Sequence, residues 1–206
     1  MARPSTPLLS RELVLHAALD QLDATGELGL PALARRLGVS TSSLYHHFKG
    51  GRGELVEGLR GLLAGEGMPS EVRPGEDWRD FTRRWARQYR EAFAAHPAAV
   101  PLLTAQTVTH PAVLAAYEAL AQVLHDAGFG DGDLLHAVTV LDDFVLGSAL
   151  DAGAPAEVWA DPGRPDSPLS RAIRATRAQP GDRSRRAFQL GLESLLTGLE
   201  LLRDQP

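Results

Sequence analysis

The sequence predicts an all-α protein built of two parts. Its apolar residues recur at intervals of three and four along stretches of helical length, and glycines and prolines separate these stretches. The alternation of apolar and polar residues that is typical of β-strands is nearly absent. With 206 residues, of which 44% are apolar, the chain is long enough to bury a substantial core.

Composition and charge narrow the possible functions. The chain has no cysteine, which excludes disulfides and thiolate metal sites and fits the cytoplasm, where we expect the protein. No apolar run approaches the roughly 18–20 residues of a membrane span, and the first residues lack the pattern of a signal peptide, so we expect no membrane partner. Residues 1–60 carry seven Lys/Arg and six Asp/Glu, whereas the remaining residues carry 14 and 20. Only the N-terminal part therefore has a charge balance compatible with nucleic-acid binding.

Local signals predict four helices in the N-terminal part. The first begins after Ser10, an N-cap residue, and ends at Gly26. A short second helix spans about 31–37, with a proline at its first position, where the missing N–H costs nothing. A third short helix follows Ser40, and a long fourth helix runs from about 51 to 66.

The second and third helices have the pattern of a helix-turn-helix. Gly38 lies in the turn between them, where a positive φ costs least for glycine. Ser40 is placed to cap the third helix, with Val39 and Leu44 as a hydrophobic staple. The apolar residues spaced across the pair are Leu33, Ala34, Leu37, Val39, Leu44 and Phe48.

The stretch 38–50, GVSTSSLYHHFKG, presents a polar face. On a helical wheel Leu44 and Phe48 point inward together. The polar residues on the other side, at its flanks and just after it are Thr41, Ser42, Ser43, Tyr45, His46, His47 and Lys49. Such groups donate to phosphates and meet base edges, and the first turn of a recognition helix is where base contacts are made. We therefore expect this face to contact duplex DNA.

Three other interpretations of this stretch remain. His46 and His47 could bind a metal, but consecutive residues diverge by about 100° on a helix, and neither has a carboxylate at i+4. A hydroxyl could act as a nucleophile with a histidine base, but no third orienting group is visible. The face could also be the solvated side of a structural helix pair.

Residues 67–75, GMPSEVRPG, form the predicted linker. We therefore divide the chain into a helix-turn-helix domain of residues 1–66, which includes the connecting fourth helix, and a helical domain of residues 67–206. Residues 153–168 contain four prolines and are expected to form a long loop. The helices expected in the second domain span about 76–95, 98–106, 110–127, 131–152, 167–178 and 182–203.

Two long helices of the second domain carry more apolar surface than one packing face needs. The helix near 133–150 is apolar almost all round, which predicts that it is buried. In the last helix Gly191 and Gly198 share a face, and interior glycines indicate close approach of another helix. Leu195 and Leu199 continue this face, so we expect them in a dimer interface. An ordinary core within one chain is the alternative.

Asp142 and Asp143 interrupt the apolar helix. A buried carboxylate must be paired or its pKa rises. One interpretation is an ion pair with an arginine of another helix. The other is that one of the two lines a ligand pocket and hydrogen-bonds an effector. The histidines of this domain are scattered without i, i+4 partners, so we predict no metal site and no cofactor.

The N-terminal residues also resemble a known family. Residues 10–55, and above all LGVSTSSLYHHFKG, are similar to the DNA-binding domain of the TetR family of bacterial transcriptional regulators. The matching residues are Ala18, Leu19, Gly26, Leu33, Ala34, Leu37, Gly38, Val39, Leu44, Tyr45, His47, Phe48, Lys49 and Leu55. By this resemblance the residues expected to contact DNA are Thr41, Ser42, Ser43, Tyr45, His47 and Lys49. The family usually places a basic or small polar pair after the lysine. Here Gly50 and Gly51 stand there, so either a phosphate contact is absent or Arg52 replaces it.

The C-terminal part resembles the tetracycline-repressor type of this family, in EDWRDF at 76–81, FVLGSALD at 144–151 and FQLGLESLLTGLE at 188–200. The resemblance implies a homodimer whose last two long helices form a four-helix bundle, with a small-molecule pocket in each body. The residues that fall where this type lines its pocket are Trp85, Tyr89, Leu103, Gln106 and Phe144. We expect Asp143 or Asp151 to supply a carboxylate.

Two departures bear on the ligand. By the same resemblance, Leu103 replaces a histidine that holds a magnesium-chelated drug, and Gly67 replaces another drug-contacting histidine. Leucine cannot coordinate a metal, whereas Trp85 and Tyr89 offer flat apolar faces. We therefore expect a small, largely apolar or aromatic organic effector that binds without magnesium. The alternative is that Asp151 and a nearby side chain recruit a metal whose remaining sites are filled by water.

These observations predict a ligand-responsive, DNA-binding transcriptional regulator and not an enzyme. We expect a repressor that a small organic effector releases from a palindromic operator. One alternative is an all-α enzyme or ligand-sequestering protein that retains the same fold, which clustered catalytic groups would support, and none is visible. Another is a regulator that responds to protein contacts rather than to a small ligand.

Overall fold

The computed structural model describes residues 9–65, 67–155, 157–177 and 183–204. Within them the chain folds into ten α-helices and one short 3₁₀ turn, Pro97–Ala99, with no β-strand. The prediction of an all-α fold is confirmed. The helices are α1 (Arg11–Thr25), α2 (Leu30–Leu37), α3 (Thr41–His47), α4 (Gly51–Gly65), α5 (Trp78–Ala94), α6 (Val100–Thr104), α7 (Pro111–Asp126), α8 (Asp131–Ala152), α9 (Pro168–Arg177) and α10 (Arg183–Arg203).

The structure departs from the predicted helices mainly at 98–106, which is divided between the 3₁₀ turn and α6. A proline lies in the first positions of each piece, where it can start a helix but cannot continue one. The helix ends predicted at residues 66, 178 and 182, and both ends of the chain, lie outside the described residues.

Helices α1 to α3 form the head, and their ends follow the sequence signals. The Ser10 side chain accepts a hydrogen bond from the Leu13 N–H at 3.1 Å, which caps α1, and Gly26 ends this helix with φ 71°. The turn between α2 and α3 passes through Gly38, whose φ is 68°. The head core is made of fully buried residues from all three helices and α4: Val14, Ala18, Leu22, Leu33, Leu44, Phe48 and Leu55.

Helix α4 joins the head to the body. It packs against α1 on the head side and against α5, α6 and α7 on the body side. Leu59 and Leu63 are buried in this double contact. A displacement of the body helices therefore bears directly on the helix that carries the head.

The body is built around α5 and α8. Helix α8 packs along α5 and also contacts α7 and α10. One face of α5 buries an aromatic residue on every turn, namely Phe81, Trp85, Tyr89 and Phe93. In the described part of the chain, no helix combines the length and the apolar character needed to cross a bilayer.

The outer side of α8 and α10 corrects two expectations. Helix α8 is not buried all round, because Val140 and Leu150 are each 42% exposed. On α10, Leu199 is only 7% exposed and packs inside its own chain, whereas Leu190 and Leu201 are 73% and 65% exposed. Of the two leucines predicted in the dimer interface, Leu199 thus lies on the inner face and Leu195 is half-buried, while the exposed apolar row of α10 runs through Leu190 and Leu201.

The two glycines of α10 have different surroundings. A Cβ at Gly191 would meet the Phe144 ring at 2.5 Å, so this glycine accommodates a close approach within the chain. Gly198 is exposed, and a Cβ there would meet nothing within 4 Å. Of the predicted pair, only Gly198 lies on the open side of the helix.

Candidate DNA-binding surface and effector site

The third helix of the head is fixed by its first residues. The Ser40 hydroxyl accepts a hydrogen bond from the Ser43 N–H at 3.2 Å and caps α3. The same hydroxyl lies 2.8 Å from the hydroxyls of Ser42 and Ser43. Leu44 and Phe48, each 2% exposed, anchor the helix from below. These contacts hold α3 rigidly on the core, and its outer face stays open to solvent.

The predicted DNA-contacting residues follow the face expected from the wheel. Thr41, Ser43 and His47 are half-buried at its flanks. The exposed residues are Ser42, Tyr45, Lys49 and Arg52, and Tyr45 is 48% exposed. His46 was not among the predicted contacts by resemblance, yet it is equally exposed on this face, as its wheel position indicated.

The glycine pair after Lys49 has a structural reason. Gly51 begins α4 with φ 63°, a conformation that favours glycine, and a Cβ there would lie 3.2 Å from the Tyr45 ring. The Gly50 N–H donates to Glu54 Oε2 at 2.9 Å, which covers the start of α4. The departure at these positions therefore lets the Tyr45 ring lie over the start of α4.

Sequence analysis missed one residue of this region. Arg11 pairs with Glu54 at 2.6 Å and also donates to the backbone carbonyl of His47. Its guanidinium lies 4.3 Å above the centre of the Phe48 ring. Arg11 thus ties α1 to the end of α3 and the start of α4. No local pattern could reveal it, because its partners are about 40 residues away in the sequence.

The interior of the body holds the predicted aromatic residues. Trp85 and Tyr89, 0% and 2% exposed, pack edge to face with ring centroids 5.1 Å apart. Tyr117 of α7 joins them at 5.7 Å from Trp85. The Trp85 Nε1–H is buried without a hydrogen-bond partner, so it is an unused donor in this interior.

A carboxylate of α8 completes this cluster. The Tyr117 hydroxyl donates to Asp142 Oδ1 at 2.5 Å, so the Tyr89 hydroxyl, 3.2 Å away, donates to Tyr117. Burial raises the pKa of the Asp142 carboxyl, although its hydrogen bonds act in the opposite direction. Among the described residues its hydrogen-bond partner is therefore a tyrosine rather than the arginine that the sequence suggested. Sequence analysis missed Tyr117, and its position one turn after Val113 on the inner side of α7 was the only signal.

The remaining predicted effector residues lie in different surroundings. Asp143 is exposed and points away from the Tyr117 cluster that Asp142 joins, because consecutive helix residues diverge by about 100°. Phe144 stacks on Phe188 of α10 at 5.4 Å, and Asp151 pairs with Arg183 at 2.7 Å. Phe144 and Asp151 thus face α10. Trp85, Tyr89 and Leu103 are buried, while Gln106 is half-buried.

An ion pair of α4 holds the segment that follows Leu103. Arg60, 5% exposed, donates to the backbone carbonyls of Leu103 at 2.5 Å and Gln106 at 3.1 Å. It pairs with Glu57 at 2.8 Å. Glu57 Oε2 accepts from the backbone N–H groups of Thr109 and His110 at 2.9 and 3.0 Å. Although burial opposes it, the hydrogen bonds from Arg60 and Thr109 lower the pKa of Glu57.

The described residues contain no group of three or more His, Asp or Glu side chains that could hold a metal ion. The chain thus combines a capped recognition helix with exposed hydroxyl, aromatic and basic groups, a buried polar and aromatic interior, and a connecting helix hydrogen-bonded to the body. This combination defines a DNA-binding regulator with a ligand-binding body.

Comparisons with known proteins agree with this class. The family model described as "Bacterial regulatory proteins, tetR family" matches residues 14–59, and the one described as "Tetracyclin repressor-like, C-terminal domain" matches residues 71–203. The tetracycline repressor protein class C of Escherichia coli is 31% identical over 205 residues, which cover 95% of this chain and 92% of that protein. The chain belongs to the tetR family of bacterial regulatory proteins. It is a ligand-responsive, DNA-binding transcriptional regulator.

Solved structures give the same architecture. A TetR variant from Acinetobacter baumannii AYE in complex with minocycline is 26% identical, with a TM-score of 0.78 and 96% of each chain covered. ActR from Streptomyces coelicolor in complex with actinorhodin is also 26% identical, with a TM-score of 0.76, and the match covers 96% of this chain and 100% of that chain.

Proposed function

We propose that the protein is a dimeric repressor that acts in the cytoplasm and leaves a palindromic operator when a small organic effector binds its body. The observation that carries the proposal is the outer face of α3, where exposed Ser42 and Tyr45 stand on a helix capped by Ser40 and anchored by Leu44 and Phe48. A rigid helix that presents polar groups outward is what major-groove recognition requires.

The proposed contacts divide into base readers and phosphate binders. Ser42 and Tyr45 lie at the centre of the face and reach base edges, with Thr41, Ser43 and His47 at its sides. Lys49 and Arg52, both exposed beyond the end of α3, bind phosphates on either side of the groove. Arg52 thus replaces the contact that Gly50 and Gly51 do not make.

The apolar row on the outer side of α8 and α10 supports a homodimer. Leu190 and Leu201 on α10 and Val140 and Leu150 on α8 are all more than 40% exposed in the single chain. Large apolar side chains exposed on two packed helices are typical of a surface that a partner covers. A twofold dimer through this row presents two heads to half-sites about 34–36 Å apart.

The effector is proposed to bind next to Trp85, Tyr89 and Leu103. Apolar and aromatic groups line this interior, and Asp142 and the unused Trp85 N–H provide few polar anchors, as in most small-molecule sites. The names of two related structures include minocycline and actinorhodin, which are organic ligands. The effector requires no metal or other cofactor in this proposal, because the Leu103 side chain has no ligating atom.

Helix α4 is proposed to transmit effector binding to the head. Arg60 and Glu57 bind the segment from Leu103 to His110, which begins at the effector site, and α4 packs on α1. A ligand that displaces this segment must also displace or release α4. Because each head must meet its own groove, a small rotation of α4 in each chain changes the spacing of the heads.

The alternative of an all-α enzyme or sequestering protein has no observation in its favour, and we propose that the protein has no catalytic activity. A mobility-shift experiment on the DNA upstream of its own gene, with and without planar aromatic compounds, tests the proposal. We expect a shift by the protein alone and its release by an effector. Effector binding without any DNA binding would contradict the proposal and favour a sequestering protein.

A further inference from the structure

Helix α4 has an interior glycine at the point where a ring of the body touches it. A Cβ built on Gly61 would lie 2.1 Å from Nε2 of His110, the residue before α7, and 2.5 Å from two further atoms of this ring. Non-bonded carbon atoms prefer a separation of about 3.5–4.0 Å, so a side chain at position 61 has no room unless the ring and α4 move apart. Apart from proline, glycine is the least favourable residue inside a helix, so this close approach lowers the intrinsic stability of α4.

The surroundings of His110 hold its ring against Gly61. The His110 N–H donates to Glu57 Oε2 at 3.0 Å, and the next residue, Pro111, has a fixed backbone angle at the start of α7. His110 occupies the N-cap position of α7, yet its side chain makes no capping hydrogen bond. Its Nδ1 is buried without a hydrogen-bond partner. The side chain therefore contacts α4 instead of covering the start of its own helix.

A second interior glycine of α4 faces the head. A Cβ on Gly58 would lie 2.7 Å from Cδ2 of Leu15 on α1 and 3.5 Å from Cε1 of Phe48, which follows α3. Gly58 and Gly61 are three residues apart, which is less than one turn. Helix α4 thus makes one close contact with the head and one with the body within a single turn, so a shift of α4 at the body contact also moves the head contact.

We propose that the contact between the His110 ring and Gly61 positions α4, and through it the head, for operator binding. His110 is thus a positioning residue, and Gly61 is the place on α4 that receives its ring. Glu57 and Arg60 attach the segment before α7 to α4 by hydrogen bonds, whereas the ring limits how closely this segment can approach. The inference rests on the proposed role of α4 as the link between body and head.

The test adds one methyl group to α4. In Gly61→Ala the new methyl and the His110 ring must part by roughly 1.5 Å to reach an ordinary contact distance. The double variant Gly61→Ala/His110→Ala keeps the methyl and removes the ring. Gly65→Ala is the matched control, because it adds a methyl to the same helix at an exposed position with nothing within 4 Å.

The first measurement gives the position of the head without DNA. Because the chain has no cysteine, Arg35→Cys on α2 and Glu118→Cys on α7, both at exposed positions, place two spin labels in one chain. Labelled protein is diluted with unlabelled protein, and pulsed electron paramagnetic resonance measures the distance between the two labels. Gly61→Ala should change this distance by about 2 Å or more, because the methyl and the ring must separate. The double variant and Gly65→Ala should keep the original distance.

The second measurement compares binding to the DNA upstream of the gene with binding to a scrambled duplex. Gly61→Ala should weaken binding to the upstream duplex about tenfold and leave binding to the scrambled duplex nearly unchanged, because only simultaneous binding of two half-sites depends on the spacing of the heads. A merely destabilised protein would lose both kinds of binding. The double variant should return to within about threefold of the wild type, since the clash requires both groups.

An unchanged label distance in Gly61→Ala would overturn the proposal, because it would show that the ring simply turns aside. A change that persists in the double variant, or that Gly65→Ala reproduces, would also overturn it, since the ring would not be the cause. A changed distance without weaker upstream binding would contradict the role in operator binding. If the wild type bound no upstream DNA, the proposed repressor would be contradicted, while the label distances would still decide whether this contact positions the head.

Discussion

The head and the body of this protein differ in how their functional residues are specified. In the head, the recognition surface is made by one segment, in which Gly38, Ser40, Leu44 and Phe48 orient the neighbouring polar residues. In the body, the interior cluster combines residues of α5, α7 and α8 that are far apart in the sequence. A local surface can be inferred from periodicity and caps, whereas a site assembled by tertiary packing cannot.

The largest expected effect comes from changing the outer face of the body while leaving the head intact. Leu190→Arg together with Leu201→Arg places two charges in the proposed dimer interface, which is strongly unfavourable. Light scattering should then detect a monomer. Operator affinity should fall by about 10³-fold, to the level of non-specific binding, because two half-sites can no longer be bound together.

Leu114→Arg is the matched control, because Leu114 is 47% exposed on α7, outside this row. This variant should remain a dimer. A double variant of α10 that stays dimeric would contradict the proposed interface, even if its DNA binding were reduced.

The next largest effect concerns α4, which links the two regions. Glu57→Gln should reduce the free energy of unfolding by about 2–3 kcal/mol, because it leaves the buried Arg60 without its carboxylate. Because the pKa of Glu57 is lowered in the folded protein, this contribution to stability is present above the ordinary glutamate pKa of about 4.5. It is lost as the pH falls through the lowered pKa.

Urea unfolding at several pH values between about 3 and 7 measures both the stability lost in Glu57→Gln and its dependence on pH. Glu118→Gln, an exposed change on α7, is the control and should cost little. A Glu57 variant as stable as the wild type at pH 7 would show that the carbonyl contacts alone hold Arg60.

Within the head, base and phosphate contacts should respond differently. Tyr45→Ala should weaken operator binding by about 1–3 kcal/mol and leave non-specific binding nearly unchanged. Lys49→Ala should weaken binding to all sequences alike and reduce the slope of the salt dependence by about one. Fluorescence anisotropy with operator and scrambled duplexes at several salt concentrations separates the two.

Because the Tyr45 ring also lies over Gly51, thermal unfolding must confirm that the Tyr45 variant is folded. If a folded dimer with Tyr45→Ala bound the operator normally, α3 would not be the reading helix.

The sequence predicts the local features of the head better than the packing of the body. The caps at Ser10 and Ser40 and the left-handed glycines at Gly26 and Gly38 all appear as expected, since each depends on two to four neighbouring residues. The phase of α8 and α10 could not be predicted. Both helices have apolar residues on two sides, so a wheel could not distinguish the inner Leu199 from the outer Leu201.

The interior cluster shows why the rest was out of reach. Asp142 and Asp143 are equivalent by composition, and only the position of Tyr117 on α7 decides which of them is inside. A prediction that depends on the packing of three helices needs their relative rotation, which no spacing in the sequence contains.

A smaller effect tests this interior carboxyl. Burial raises the pKa of Asp142 in the folded protein. The protonated carboxyl therefore contributes fully to stability below the ordinary aspartate pKa of 3.8, and this contribution is lost as the pH rises through the raised pKa. Asp142→Asn keeps an oxygen that accepts from Tyr117 but carries no charge. The variant should therefore be slightly more stable than the wild type at pH 7, and this advantage should disappear in acid.

Chemical unfolding at neutral and acidic pH measures the difference, and Asp143→Asn is the control because Asp143 is exposed. If Asp142→Asn were less stable at pH 7, the carboxylate would be stabilised by its surroundings, and the raised pKa would be contradicted.

The smallest expected effect is that of magnesium on ligand binding. The side chain of Leu103 has no ligating atom, and the described residues contain no cluster of three metal-binding side chains, so we expect the protein to contribute little to holding the metal of a magnesium-chelated ligand. Replacing Trp78 and Trp159 by Phe leaves Trp85 as the single fluorescent reporter of the interior. Tetracycline with magnesium should bind weakly, and EDTA should change its Kd by less than about twofold, or about 0.4 kcal/mol.

Fluorenone, a planar aromatic ketone, should quench Trp85 equally with and without EDTA, because its carbonyl can accept from the free Trp85 N–H. Tight tetracycline binding that EDTA abolishes would mean that water or Asp142 completes a metal site, and that Leu103 does not determine the ligand.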